Sequence, residues 1–494
     1  MKGKNYINGA FVDSALSEVF ESRNPAYCDE VLGTFPLSSA DDVNNAVLAA
    51  KTAYDTWRKI SRIRRGEYLD ELAQLLKKDR EAISQLVSKE CGKGIAEGRA
   101  DVTEGIHMVQ YIFGTTRMPH GDIIDSEIVE KDSFMRRRPK GVVAAITPWN
   151  FPFAIPLWLI CPSVVEGNTV VLKPSRETPC VANKIAEYVH AAGFPPGVIN
   201  VIHGGCGDAL VRHSDTQVIL FTGSCEVGEG IKKIAAESYN KMCACEMGGK
   251  NAIIVLDGAN MEIAVNASIL SAFKTSGQRC TSAGRLILHV NMLEEFEKRF
   301  VELAKRIKIG NPLDEEVFMG PVINQAATEK ILRYNDFAKN EGAEVLLDGS
   351  RLTGGGYDKG YFMSPFVYRM KNNPKSRVLH EEVFGPHVAI IPVESIDEAI
   401  NVYNDTEYGL SCAVITEDFR KARRIRDDCE YGLGYVNLPT IGAEVHLPFG
   451  GLKKSGTGLP SASTLIDAVT HRTAWTVNHD LEIKMAQGLS AKLS

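Results

Sequence analysis

The sequence predicts an α/β protein built on two doubly wound parallel sheets, with a smaller β element attached. Three observations carry that prediction. Short apolar runs at 142–147, 169–173, 198–203 and 217–222 alternate with helical spacing. A second alternation begins at Asn251, with later apolar runs at 285–290, 343–347, 388–393, 411–415 and 434–437. The length of 494 residues exceeds one typical domain, and 44% hydrophobic with 24% charged content supplies a large core.

In chain order, 5–36 reads as hairpin structure at the edge of the first unit, with turns at Asn8-Gly9 and Asn24-Pro25. Ser39 caps a helix whose first turn holds Asp41 and Asp42 and whose buried face is Val43, Ala46, Val47, Ala50, Ala53, Tyr54 and Trp57. A helical region at 64–91 stops at Gly92 and Gly94, and a third helix spans about 96–113. Residues 114–141 are punctuated by Gly and Pro and end in Arg136-Arg137-Arg138-Pro139-Lys140. That basic run suits either a solvated segment or a strand leaving to meet a partner subunit. Helices follow at 179–192, from about Glu226, at 261–275 and at 293–308. The alternating Thr473–Val477 stretch reads as an edge strand for oligomer contacts. Gly223 to Gly228, between strand and helix, allows close backbone approach to a phosphate, though a tight turn explains it equally.

The net charge of −6 gives no reason to expect nucleic acid or an anionic membrane. No apolar signal core opens the chain, and the most apolar stretch, 151–165, is broken by Pro152, Pro156 and Pro162, so the reading is a cytoplasmic enzyme. The 11 cysteines include no Cys-x-x-Cys, and the 11 histidines show no metal-ligand spacing; neither a disulfide framework nor a metal site is expected. Cys243 and Cys245 read as structural, sharing one face of a strand.

The segment 276–282, Ser-Gly-Gln-Arg-Cys-Thr-Ser, is the centre of the reading. An amphipathic helix with Ile263, Val265, Ile269, Leu270 and Phe273 on one face is expected to end at Gly277 as a left-handed cap. Cys280 then lies on a loop before a buried strand, and Arg279 beside it lowers a thiol pKa. Taken alone, the loop fits a nucleophile or an ordinary buried cysteine.

Further stretches occur in register: Pro148-Trp149-Asn150-Phe151-Pro152, Lys173-Pro174, Glu246-Met247-Gly248-Gly249-Lys250, Glu381-Glu382-Val383-Phe384-Gly385-Pro386, and Pro448-Phe449-Gly450-Gly451 with Lys454-Ser455-Gly456. Together with Gly277-Gln278-Arg279-Cys280 they resemble the aldehyde dehydrogenase superfamily along nearly the whole chain. The chemistry asks for the same groups. A thiolate attacks an aldehyde, donors hold the oxyanion, hydride leaves to a nicotinamide, and a carboxylate activates water against the thioester. The resemblance makes Cys280 the nucleophile, Asn150 the oxyanion donor and Glu246 the base.

It also implies an aldehyde dehydrogenase-like division of the chain. Residues 1–123 and 142–247 form a cofactor-binding unit, 248–447 carry the nucleophile, 448–464 make a glycine-rich return loop, and 124–141 with 465–494 serve a homodimer or homotetramer. For the cofactor it implicates Thr147, Trp149, Lys173, Ser175, Arg176, Gly223, Ser224, Val227, Glu382 and Phe384. Where many NAD-preferring relatives carry a glutamate, this chain has Arg176, which would pair with a 2′-phosphate; NADP is expected to be accepted alongside NAD. The look is nearest to α-ketoglutarate semialdehyde and related semialdehyde dehydrogenases, with Phe151, Ile155, Trp158, Arg279, Thr281, His446 and Phe449 lining the pocket; Arg279 or His446 meets a substrate carboxylate, or Arg279 points away and only packs. The alternatives are a non-phosphorylating glyceraldehyde-3-phosphate dehydrogenase and a non-catalytic protein that kept the fold.

Overall fold

The computed structural model describes residues 1–458 and 461–486; positions 459–460 of the return loop and 487–494 of the tail lie outside the described residues. Two seven-stranded sheets dominate it. The first runs, in spatial order, Met242–Glu246, Thr216–Thr222, Val142–Ile146, Thr169–Lys173, Ile199–Val201, Asn5–Ile7 and Ala10–Val12. Its first five strands are parallel, as buried β-branched runs joined through helices require, and the N-terminal hairpin closes one edge antiparallel. The second runs Glu344–Leu347, Phe366–Arg369, His387–Val393, Ala283–His289, Asn251–Val255, Ser411–Ile415 and Leu433–Val436. Only Glu344–Leu347 pairs antiparallel in it.

A third sheet joins Thr470–Asn478, Lys131–Pro139 and Gly121–Ile124, all antiparallel. The basic run Arg136–Arg138 therefore lies in a strand, and this element begins at Gly121, before the expected 124. The chain passes between the two large sheets over Met247–Lys250. Buried Lys250 anchors the crossing by donating to the Val378 and Glu381 carbonyls at 2.7 and 2.8 Å.

Local chemistry explains the helix ends. Ser39 caps Ala40–Trp57 reciprocally: its hydroxyl accepts from the Asp42 N–H while the Asp42 carboxylate accepts from the Ser39 N–H. The expected single helix at 64–91 is two, Arg62–Lys78 and Arg80–Cys91, parted at Asp79. Asp79 leaves helical geometry, and its carboxylate accepts from the Tyr188 hydroxyl. The helix before the nucleophile also departs from expectation. It ends at Phe273, not at Gly277, and is buried on most sides, with Ile263 turned to solvent. Helix Val290–Lys305 and strand Ala283–His289 pack against it, and its apolar residues join their core. Among the described residues, no helix is long and apolar enough to cross a membrane.

Candidate active site

The carboxyl ends of the first sheet face the amino ends of strands Asn251–Val255 and Ala283–His289 of the second. The rule that ligands sit at carboxyl strand ends therefore holds for one sheet only; Cys280 precedes its strand. Two cavities meet here. One of about 620 Å³ is lined by Phe151, Ile155, Trp158, Arg279, Cys280, Thr281, Glu246, Phe449 and the 442–446 loop with His446. The other, about 280 Å³, is lined by Trp149, Asn150, Gly223, Ser224, Met247, Gly248, Glu382 and Phe384, and again by Cys280. The Cys280 side chain thus forms part of the wall between them.

The nucleophile loop is tied down from several directions. The Asn150 side-chain amide donates to the Gln278 carbonyl at 3.0 Å, and the Asn251 amide donates to the Cys280 carbonyl at 2.6 Å. Arg279 does not activate the thiol as expected. Burial, then the nearby Glu382 and Glu246 carboxylates, push the Cys280 thiol up to about 12, and Arg279 opposes them too weakly. The Arg279 guanidinium is itself paired to Glu97 at 2.8 Å and stacks over the Phe151 ring, whose other cation is Lys93. Two of its nitrogens, Nε and Nη2, are committed to the Thr275 hydroxyl and to Glu97.

Glu246 ends its strand fully inside, and neither carboxylate oxygen has a protein hydrogen-bond partner among the described residues. Burial holds its carboxyl well above the usual range, with the Gly451 backbone pulling the other way. The return loop closes over it: the Met247 N–H donates to the Ser455 carbonyl at 2.7 Å. Glu382 accepts from the Gly249 N–H at 2.9 Å, and a Cβ at Gly248 would lie 2.2 Å from the Glu382 carboxylate, so a larger residue there would push that side chain aside. Phe384 holds a left-handed φ of 61° that sets its ring edge-on to Trp149, 5.5 Å between centroids. In the larger cavity Trp158 and Phe449 meet edge-on at 5.1 Å.

The remaining predicted residues lie further along the same carboxyl edge rather than in the cleft wall. Lys173 ends its strand with no hydrogen-bond partner for its ammonium among the described residues, and burial lowers its pKa. The Thr147 hydroxyl is buried and equally unpartnered. Ser175 accepts from the Glu177 N–H, Arg176 is exposed with its guanidinium over the Phe20 ring, and Val227 is exposed in the first turn of helix Cys225–Ala236. An unpartnered ammonium, a buried unpartnered hydroxyl and a helix N-terminus fit a polyhydroxylated, phosphate-bearing cofactor.

Residues 11–475 match the profile of the aldehyde dehydrogenase family. The chain belongs to the aldehyde dehydrogenase family. This dehydrogenase is 37% identical over 456 residues to the α-ketoglutaric semialdehyde dehydrogenase of Bacillus subtilis, covering 92% of this chain and 93% of that one. It is 36% identical to malonate-semialdehyde dehydrogenase 2 of Geobacillus kaustophilus, over 92% and 94% of the two chains. The crystal structure of Staphylococcus aureus betaine aldehyde dehydrogenase in complex with NAD+ superposes with a TM-score of 0.93 at 32% identity, over 97% and 95% of the chains. The protein is an NAD(P)-dependent aldehyde dehydrogenase.

Sequence reasoning missed one face of the dehydrogenase's helix Ile95–Thr115. Glu97, Asp101 and Glu104 stand four and three residues apart along one face of it. Asp101 pairs with buried Lys93 at 3.1 Å and accepts from the Ala154 N–H at 2.8 Å. Glu104 lines the larger cavity, and burial with Asp101 beside it pushes its carboxyl up to about 8. The spacing was visible, but acids at helical spacing usually face water.

Proposed function

We propose that Cys280, Asn150 and Glu246 carry the reaction, with the aldehyde in the larger cavity and the cofactor in the smaller. The carrying observation is that Cys280 borders both. The Cys280 thiol gives up its proton to solvent water, its sulfur adds to the aldehyde carbon, and the oxyanion of the adduct takes hydrogen bonds from the Asn150 amide and the Cys280 backbone N–H. A nicotinamide held in the smaller cavity would supply the hydride acceptor, and loss of hydride from the adduct leaves a thioester on Cys280. Glu246 takes a proton from water as water adds to the thioester, and the acid leaves as the sulfur is expelled. Burial disfavours the charge on Glu246 and so weakens its opposition to the Cys280 thiolate during attack; ionised, Glu246 serves as base.

Lys173, Thr147 and Ser175 would hold the adenosine ribose, Gly223, Ser224 and Val227 the pyrophosphate, and Glu382, Phe384 and Trp149 the nicotinamide riboside. The reading of NADP alongside NAD rests on Arg176, which has no carboxylate within ion-pair distance among the described residues. A small semialdehyde is the proposed substrate, on the likeness to semialdehyde dehydrogenases. Since Glu97 occupies Arg279, the substrate carboxylate would meet Arg80, or His446 in competition with Glu444 at 3.2 Å, both of which line the cavity. The three-stranded sheet, with Ile123 and Trp475 exposed on it, is the proposed homo-oligomer contact. Initial rates with NAD and NADP against simple aldehydes, carboxylated semialdehydes and glyceraldehyde 3-phosphate test these readings together. Fastest turnover of a semialdehyde, with NADP used, is expected; activity on simple aldehydes with NAD alone would sink the Arg176 and semialdehyde assignments.

A further inference from the structure

Helix Ile95–Thr115 sends one carboxylate into the nucleophile loop. Glu97 is buried and takes hydrogen bonds from the Thr275 N–H at 3.1 Å, the Thr275 hydroxyl, and Arg279 Nη2 at 2.8 Å. Arg279 and Lys274, with these bonds, hold its carboxyl below the usual range despite burial. It lines neither cavity. The loop it grips is strained. Thr275 and Ser276 sit at φ 53° and 55°, a left-handed conformation that a β-branched residue adopts rarely. Gly277 follows at φ 69°, where a Cβ would lie 2.1 Å from the Gly385 carbonyl. Glu97 therefore bridges the start of the turn to Arg279, one residue before Cys280.

We propose that Glu97 is a positioning residue, whose carboxylate locks the strained Thr275–Gly277 turn to Arg279 and so fixes Cys280 in the wall between the two cavities. The proposal rests on the reading of Cys280 as nucleophile. It carries an electrostatic signature as well. The charged and titratable groups around Cys280 are Glu382, Glu246, Arg279 and Tyr435. Glu97 offsets Arg279, the only cation among them. Removing the carboxylate therefore eases ionisation of the thiol while releasing its geometry.

The test uses full-length Glu97→Gln and Glu97→Asp, with Cys280→Ala as reference. Steady-state rates are measured with saturating cofactor, and alkylation of the Cys280 peptide by iodoacetamide is followed against pH by mass spectrometry. In Glu97→Gln, kcat is expected to fall by about tenfold or more while KM stays within about threefold, because misplacing a reacting atom costs rate rather than binding. The alkylation midpoint is expected to move to lower pH, giving a thiol that ionises more readily in an enzyme that turns over more slowly. Glu97→Asp keeps the charge but reaches one methylene less far, so kcat falls with the midpoint unmoved. A parental kcat in Glu97→Gln overturns the proposal. So does a loss that only follows the folded fraction by thermal unfolding, or a midpoint that stays or rises. Turnover by Cys280→Ala would instead remove the nucleophile reading itself, whatever the Glu97 variants do.

Discussion

Asn150→Ala separates the oxyanion role from mere loop support. The side-chain amide has two N–H groups, and the structure uses one, to the Gln278 carbonyl at 3.0 Å. The other remains for the oxyanion. Alanine removes both. Loss of the loop bond costs about 1 kcal/mol of stability. Loss of one oxyanion donor costs about 2.7–4 kcal/mol in the transition state, or roughly 10²–10³ in kcat. The expected variant is therefore folded and cofactor-competent, with nearly parental KM and a kcat lower by two to three orders of magnitude on that estimate. Reduced-cofactor absorbance gives the rates, and thermal unfolding with cofactor titration gives the controls. Asn150→Asp sharpens the result: the carboxylate has the same shape but only accepts, and it faces the Gln278 carbonyl, so its loss is expected to be at least as large. A kcat drop below about tenfold in Asn150→Ala, or a loss confined to KM, refutes the assignment of the oxyanion to this amide.

Glu246→Gln is expected to keep a first-turnover burst of reduced cofactor and lose steady-state turnover by roughly 10²–10⁴-fold, since only thioester hydrolysis needs the base; absence of the burst in quenched-flow measurement argues that Glu246 acts earlier. Arg176→Glu is expected to cost NADP about 1.5–3 kcal/mol of binding, the worth of a charge-assisted hydrogen bond, and to leave NAD nearly unchanged; calorimetric titration of both cofactors decides it. The Glu104 carboxyl, pushed up to about 8, ionises as pH rises through that value and adds a negative charge to the aldehyde cavity. KM for a carboxylated semialdehyde is therefore expected to climb above that pH in the parent enzyme and to stay flat in Glu104→Gln, and parallel pH profiles for the two would count against it. Because the Cys280 thiol lies near 12 in the free enzyme, kcat/KM for the aldehyde should rise with pH across the neutral range, read from initial rates at subsaturating substrate.

The sequence was most legible where spacing and backbone chemistry coincide. The strand–helix alternation marked both sheets because parallel strands buried on both faces must be continuously apolar, as at Ile253–Val255 and Leu286–Leu288. The Ser39 cap was readable because it depends on neighbours three residues apart. The residues expected around the substrate do gather in one place: Phe151, Ile155, Trp158, Arg279, Thr281, His446 and Phe449 all line the larger cavity. What escaped was set by contacts distant in the chain. Arg279 looked like an activating cation because Cys280 is its neighbour, whereas its partner Glu97 lies 182 positions away. The left-handed pair Thr275-Ser276 was hidden behind the glycine that follows, which alone carries the familiar signal for such backbone.

The residues proposed to carry the reaction come from different cores. Asn150 and Glu246 hang from the first sheet and Cys280 from the second, with Glu97 reaching across between them. Each sheet could regain its own strands and helices while the pair docked a fraction of an ångström out of register. Such a chain would show native secondary structure and a closed hydrophobic interior, yet stay inert. Recovered activity after refolding is therefore a stricter gauge of correct assembly than any spectrum, and a preparation with full helical signal but low specific activity points first to the seam between the sheets.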